Sequence, residues 1–421
     1  MQITRWLVFI IFIGSFQWYA FQAFRTISNL KIYSFVYWFL SSLIIINFVY
    51  QTLSLDRAVG FNYNFSISLG YFLALLLFDL IVIIFLFAED IFRVVNYLVS
   101  TIFGGDQVTK VAERRKFIST LAIGIATIPF ASLIIGMYKG KYNFKVLNYT
   151  LEFEDLPESF DGFKITQISD LHCGSLDNEK EISYCMKLIN NQKSDIIVFT
   201  GDMVNNRANE LDRWKDIIST LKAKDGKFSI LGNHDYGDYV RWNSSDEKTK
   251  NFNDLLKTQK EMGFNLLLNE NYFIERGDDR IALIGVENWG SGSFKKAGNL
   301  KKAVTNINSN DFKILLSHDP SHWESQVLPH PYNFNLTLSG HTHGFQFGIE
   351  IPGLLKWSPA KWRYKQWAGI YKEKGQVINV NRGLGFLGYP GRVGIFPEIS
   401  VITLKKHKKS LKKTKLEDTE N

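Results

Sequence analysis

Four long apolar runs open the chain. Residues 6–24 and 32–53 carry no charge, residues 67–88 are interrupted only by Asp79, and residues 117–138 are uncharged and contain Pro129. At a rise of ~1.5 Å per residue each run can cross a hydrocarbon core of ~30 Å, so the pattern predicts four spanning helices. A membrane helix tolerates a proline such as Pro129. An aspartate in mid-span costs roughly 3 kcal/mol unless it is protonated or paired, which predicts a structural partner for Asp79 inside the bundle. The other spans hold no ionisable group for a relay, and this argues against a channel or pump.

Beyond residue 163 the pattern changes. Short β-rich runs at 165–169, 196–200, 228–231, 281–286, 314–316 and 336–338 each end in a polar cluster, with helix-like stretches such as 179–190 and 210–221 between them. That alternation predicts a layered α/β fold with buried strands. The chain therefore divides into a membrane region (1–145), a globular domain (146–404) and a lysine-rich tail (405–421) expected to be a disordered, solvated charge run.

Composition adds limits. With 46% hydrophobic and 15% aromatic residues in 421, the chain must pack, and its mean hydropathy of −0.07 averages two unlike regions. The formal charge of +8 is uneven: residues 1–150 carry twelve Lys/Arg against six Asp/Glu, residues 405–421 seven against three, and the body between is nearly balanced. A neutral body lacks the broad basic face of a nucleic-acid binder, so no nucleic-acid partner is expected. Two cysteines, Cys173 and Cys185, offer neither a disulfide framework nor a zinc ribbon.

Between the third and fourth runs stand Arg93, Lys110, Arg114, Arg115 and Lys116, while residues 54–66 offer only Arg57. The basic loop is then cytoplasmic, and the globular domain faces the extracytoplasmic side. Arg114-Arg115-Lys116-Phe117-Ile118 resembles a bacterial twin-arginine export signal in an internal position; an ordinary basic stop before a membrane helix fits equally.

The chemistry stands just after the strands: Asp170-Leu171-His172, Gly201-Asp202, Gly232-Asn233-His234-Asp235, Ser317-His318-Asp319 and Gly340-His341-Thr342-His343. Singly, each has a plain reading as a turn, a cap or a buried histidine. Together they can converge on one rim of a sheet, and mixed oxygen and imidazole donors suit manganese, iron or zinc better than calcium or magnesium. A glycine before Asn233 and before His341 lets the backbone turn sharply there.

In this order, D-x-H, G-D, G-N-H-D, H and G-H-x-H resemble the calcineurin-like metallophosphoesterase superfamily over residues 160–400. Leu231–Asp235, Ser339–Gly344 and Arg382-Gly383-Leu384-Gly385 resemble its membrane-anchored bacterial branch, which includes UDP-diacylglucosamine pyrophosphatase-like proteins. Phe345 departs from that branch, which often has a second glycine there. The resemblance implies a four-layer αββα sandwich and two divalent metals. One would be held by Asp170, His172, Asp202 and His343; the other by Asp202, Asn233, His318 and His341, with Asp202 shared. It also implies in-line attack on phosphorus by a metal-activated water. His234 would protonate the leaving oxygen or stabilise charge, and Asp235 would fix its tautomer and orientation.

Arg382 and Arg392 are candidate phosphate contacts because a guanidinium matches phosphate oxygens. Asp319 and His322 could support the ligands, and Cys173 is expected to have no role. Residues 356–371 mix Trp357, Trp362, Trp367 and Tyr364 with lysine and arginine, suiting a membrane interface, an amphiphile's headgroup or a packing lid. The expected protein is a membrane-anchored phosphoesterase of the bacterial cell membrane, acting on a phosphorylated, lipid-linked substrate. The alternatives are a nuclease or cyclic-nucleotide phosphodiesterase, or a non-catalytic sensor of a phosphorylated ligand.

Overall fold

The computed structural model describes residues 2–56, 58–103, 111–351 and 353–407. Arg57, Lys110, the loop at Gly104 and the tail beyond His407 lie outside them. The described chain forms two compact units, one of residues 1–143 with 386–394, the other of 144–385 with 395–421.

The first unit holds four helices: α1 (Gln2–Ile27), α2 (Lys31–Leu53), α3 (Tyr63–Phe103) and α4 (Val111–Tyr138). All four are long and apolar enough to cross a membrane. Asp79 is fully buried; Gln17 of α1 donates to one carboxylate oxygen and the Tyr37 hydroxyl of α2 to the other at 3.1 Å. Its partners are thus an amide and a phenol, groups that satisfy a carboxyl without adding a charge to the bundle. The third helix runs 41 residues, so residues 89–103 are helical where the sequence pattern suggested a loop. Glu89 and Asp90 explain the extension. Arg93 pairs with Glu89 one turn away, and Arg114 and Arg115 of α4 reach Glu89 at 3.1 and 3.0 Å. The twin arginines are therefore held by acidic side chains of α3.

The second unit contains two six-stranded sheets. The first runs β1 (Lys145–Phe153), β14 (Glu398–Lys406), β2 (Lys164–Ile168), β3 (Ile196–Phe199), β4 (Lys227–Ser229), β5 (Phe264–Leu266). The second runs β12 (Gly369–Glu373), β13 (Gln376–Val380), β9 (Leu336–Ser339), β8 (Phe312–Leu316), β7 (Asp279–Gly285), β6 (Glu270–Arg276). Strand alternation sets the layers. Ile165, Val198, Phe228 and Ile402 of the first sheet meet Ile281, Leu283, Ile314 and Leu336 of the second in one core. On the far face of the second sheet, Ala282, Ile284, Leu315 and Ile378 pack on Leu300 and Ala303 of α8 (Leu300–Ala303) and on Trp323.

On the first sheet's far side, α5 (Glu179–Asn190) buries Ile182, Cys185, Met186 and Ile189. Beyond α6 (Lys215–Ser219), α7 (Ser245–Glu261) buries Leu255 and Gln259, whose amide oxygen accepts from Ser229 of β4. Helix, sheet, sheet, helix is the layering that the resemblance implies. A two-stranded ribbon, β10 (Ile349–Ile351) with β11 (Leu355–Trp357), stands apart from both sheets.

Because β2, β3 and β4 are parallel neighbours, and β7, β8 and β9 likewise, their carboxyl ends share one edge in each sheet. Every polar cluster singled out in the sequence follows one of these ends.

Candidate metal centre

Two groups of ligand-type side chains form at that edge. Asp170, His172 and His343 offer atoms within 4.8 Å of one another, and so do Asp202, His318 and His341. Within the first, His172 Nε2 and His343 Nε2 are 3.0 Å apart, and His343 Nε2 lies 3.3 Å from Asp170 Oδ1. Within the second, His318 Nε2 lies 3.2 Å from Asp202 Oδ2 and 3.3 Å from His341 Nδ1. Asp202 Oδ2 is also 3.6 Å from His172 Nε2, so one carboxylate faces both groups.

The backbone is strained where the ligands sit. Asp170, His172, Asp202, His341 and His343 all have φ between 49° and 73°, the left-handed region that L-residues avoid. The preceding glycines act differently from the sequence expectation. Gly232 and Gly340 do not adopt positive φ; they are needed because a Cβ would stand 2.2 Å from Asp202 Oδ1 and 2.0 Å from Ser169 Oγ, respectively.

Hydrogen bonds fix which imidazole nitrogen points inward. His318 Nδ1 donates to the Thr200 carbonyl at 2.7 Å, so its Nε2 faces Asp202 and His341. His341 Nε2 meets the Tyr364 hydroxyl at 2.7 Å and Asp319 Oδ2 at 3.4 Å, turning Nδ1 toward His318. Lone pairs and a carboxylate converging at 3.2–3.3 Å repel unless a cation or proton lies between them. Burial lowers the His172 pKa to about 3 and that of His341 to about 4, leaving both neutral and able to ligate. Burial also opposes charge on His318, yet the Asp202 carboxylate overrides it and raises His318 to about 10.

Burial pushes Asp170 up to about 6, whereas for Asp202 His318 and His234 outweigh burial and hold the carboxyl well below its usual range. Asn233 adds an oxygen: its Nδ2 donates to the Tyr239 hydroxyl at 2.9 Å, and its buried Oδ1 has no hydrogen-bond partner. The donor set therefore fits two divalent first-row cations.

His234 is half-buried beside the first group. Its Nδ1 donates to the Asn205 carbonyl at 2.8 Å; its ring packs on Tyr239 with centroids 4.4 Å apart and meets His172 edge-on at 5.0 Å. The orienting role expected of Asp235 thus falls to Asn205. The Asp235 carboxylate turns inward and accepts backbone N–H groups of Gly232, Asp202, Met203 and Val204 at 2.8–3.3 Å. It ties the β3 loop to the β4 loop. Asp235→Ala should lower stability by about 3 kcal/mol or more, since several buried donors lose their acceptor, and thermal unfolding of the purified protein would measure it.

Both candidate phosphate arginines are buried, and the Arg382 guanidinium is engaged elsewhere. Arg382 is buried, with one terminal nitrogen on Glu398 and the other on Glu350 at 2.6 Å. Arg392 is fully buried and belongs to the 386–394 segment of the first unit, where its backbone N–H donates to the Gly136 carbonyl at 3.2 Å. His322 is held by Ser317 and Gln326 rather than by a ligand. Burial drives the Cys173 thiol well above its ordinary range. Tyr239, Tyr364 and Asn205 were missed as site residues. Tyr364 lay inside the aromatic stretch at 356–371, whereas nothing in the sequence marks Tyr239 or Asn205.

Residues 163–345 match the family model Metallophos, "Calcineurin-like phosphoesterase", and residues 4–141 match 4TM_phosphoesterase, "Probable Calcineurin-like phosphoesterase, transmembrane domain". The chain is 31% identical over 272 residues to the uncharacterized metallophosphoesterase YkuE of Bacillus subtilis, covering 64% of this chain and 88% of that one. It is 26% identical over 333 residues to a zebrafish (Danio rerio) transmembrane protein with metallophosphoesterase domain, covering 77% and 71%. To UDP-2,3-diacylglucosamine pyrophosphatase LpxG of Chlamydia trachomatis it is 27% identical over 318 residues, covering 63% and 92%.

Proposed function

The chain belongs to the calcineurin-like metallophosphoesterases, a family that uses divalent metals, and from that premise we propose that this membrane protein hydrolyses a lipid-linked phosphoester or pyrophosphate at a two-metal site. The observation that carries the reading is the pair of ligand groups with Asp202 facing both. Asp170, His172, Asp202 and His343 would hold one cation, and Asp202, Asn233, His318 and His341 the other. When bound, such cations supply an activated water and stabilise charge on the phosphoryl oxygens.

The chain's own residues do the rest. Thr200, Tyr364 and Asp319 fix the tautomers of His318 and His341, and Tyr239 turns the Asn233 oxygen inward. His234, anchored through Nδ1, keeps Nε2 for passing a proton to the departing oxygen. The lipid-linked substrate is supported by the membrane helices and by the substrate in the LpxG name. Basic side chains clustered between α3 and α4 support a cytoplasmic position for that end of the bundle, with the catalytic unit outside a bacterial cell membrane.

The test is hydrolysis by the full chain in nanodiscs with manganese. The substrates are a monoester, a diester and a nucleotide pyrophosphate bearing acyl chains. Chelator-sensitive turnover favouring the acylated substrate is expected. Equal turnover of its deacylated analogue would remove the lipid part of the reading, and chelator-insensitive turnover would remove the metal part.

A further inference from the structure

The β10–β11 ribbon is amphipathic the wrong way round for a water-facing element. Its register pairs Ile349 with Trp357, Glu350 with Lys356 and Ile351 with Leu355, so by the two-residue period the charges share one face and the apolar residues the other. The charged face is the one with partners in the domain. Glu350 bonds Arg382, and the Lys356 ammonium bonds the Ala368 carbonyl while lying over the Trp367 and Tyr371 rings. Glu350 and Lys356 are exposed too but have these polar partners, whereas the apolar Ile349, Ile351 and Leu355 are 46–49% exposed and Leu354 at the bend is 79% exposed. Trp362, 74% exposed, meets Trp357 edge-on at 6.0 Å and extends the patch. Clustered exposed apolar side chains mark a surface that meets something less polar than water.

We propose that this outward face lies in the interfacial region of a lipid bilayer. The chain itself supplies the reason for choosing lipid over a protein partner, because four bilayer-crossing helices in the same molecule keep a membrane within reach at all times. The edge of the patch also has the right chemistry. Trp362 stands between exposed Lys361 and Arg363, an aromatic ring flanked by cations suited to the headgroup level of a membrane with anionic lipid. A two-stranded ribbon on its own is marginal in water, and apolar support on its outer face stabilises it.

The ribbon is also short of the reaction centre by very little chain. It follows His343 directly, and Tyr364, just past β11, bonds His341.

The experiment reads position, not turnover, and so stands apart from the catalytic reading. Cys173 and Cys185 are buried, so a cysteine introduced at Leu354 or Ile351 can be labelled selectively with an environment-sensitive fluorophore in the full chain. In nanodiscs of phosphatidylcholine and phosphatidylglycerol, Leu354→Cys and Ile351→Cys should each give blue-shifted emission. Most of that emission should be lost when spin-labelled lipids are added. An Asp278→Cys control on the exposed β6–β7 turn should show neither effect. Water-like emission at both ribbon sites would overturn the proposal. So would a blue shift that spin-labelled lipids leave unquenched, because the occupant would then be protein.

Discussion

Asp202→Asn is expected to weaken metal binding at both groups by at least ~10²-fold and to lower kcat/KM by ~10³-fold or more. The exchange preserves shape, so the effect isolates charge. One carboxylate oxygen accepts the His234 N–H at 2.8 Å, and the other stands 3.2 Å from His318 and 3.6 Å from His172. An amide offers one oxygen and one N–H donor, and cannot offset two cations. Proton linkage gives a second signature. In the metal-free protein His318 is raised to about 10, because Asp202 outweighs the burial that opposes its charge. A raised histidine stabilises the fold below its unfolded value near 6.5, and that stabilisation is lost as pH rises through about 10.

Near pH 8 the proton is still on His318, so binding a cation there must expel it. Calorimetry in buffers of different ionisation enthalpy should show more protons released per metal bound by the wild type than by Asp202→Asn, the difference being the His318 proton. Elemental analysis gives the metal content alongside. Undiminished metal-dependent turnover in the variant would remove Asp202 from the centre of the site.

Legibility from sequence followed the range of the interactions. The ligand clusters could be read because each follows a short apolar run that can only be a buried strand, and the parallel order of β2, β3 and β4 then brings their ends together. β1 and β14 were not read. β1 is only half-buried, and its parallel partner is some 250 residues away, so neither advertises itself locally. Arg382 looked like a phosphate contact for the same reason: Glu350 and Glu398, which hold it, are near only in the fold.

Asp235 shows the opposite failure. Adjacency to His234 suggested a dyad, but the backbone after Asn233 winds into a short helical turn, His234–Tyr236, and sends the two side chains to different partners. Asp79, by contrast, was read correctly as needing a partner, since the cost of an aspartate in hydrocarbon depends on no distant detail.

His234→Ala is expected to reduce kcat by ~10²–10⁴-fold while both metals stay bound. The loss should grow with the basicity of the leaving oxygen: large for an alkyl phosphate, small for a nitrophenyl ester or a pyrophosphate, whose weakly basic leaving oxygens depart without a proton. The geometry that motivates this is the single anchor at Asn205, which leaves the imidazole's second nitrogen for the substrate. Alanine also removes the ring that packs on Tyr239 and His172, so a structural loss must be separated from a chemical one. His234→Asn does that. Its amide can still donate to the Asn205 carbonyl but cannot carry a proton to a leaving group. If His234→Asn keeps metal content and thermal stability yet remains as slow as alanine on poor leaving groups, proton transfer is the role. Recovery of turnover by asparagine, or an equal loss on every leaving group, would make His234 a positioning residue for His172 instead.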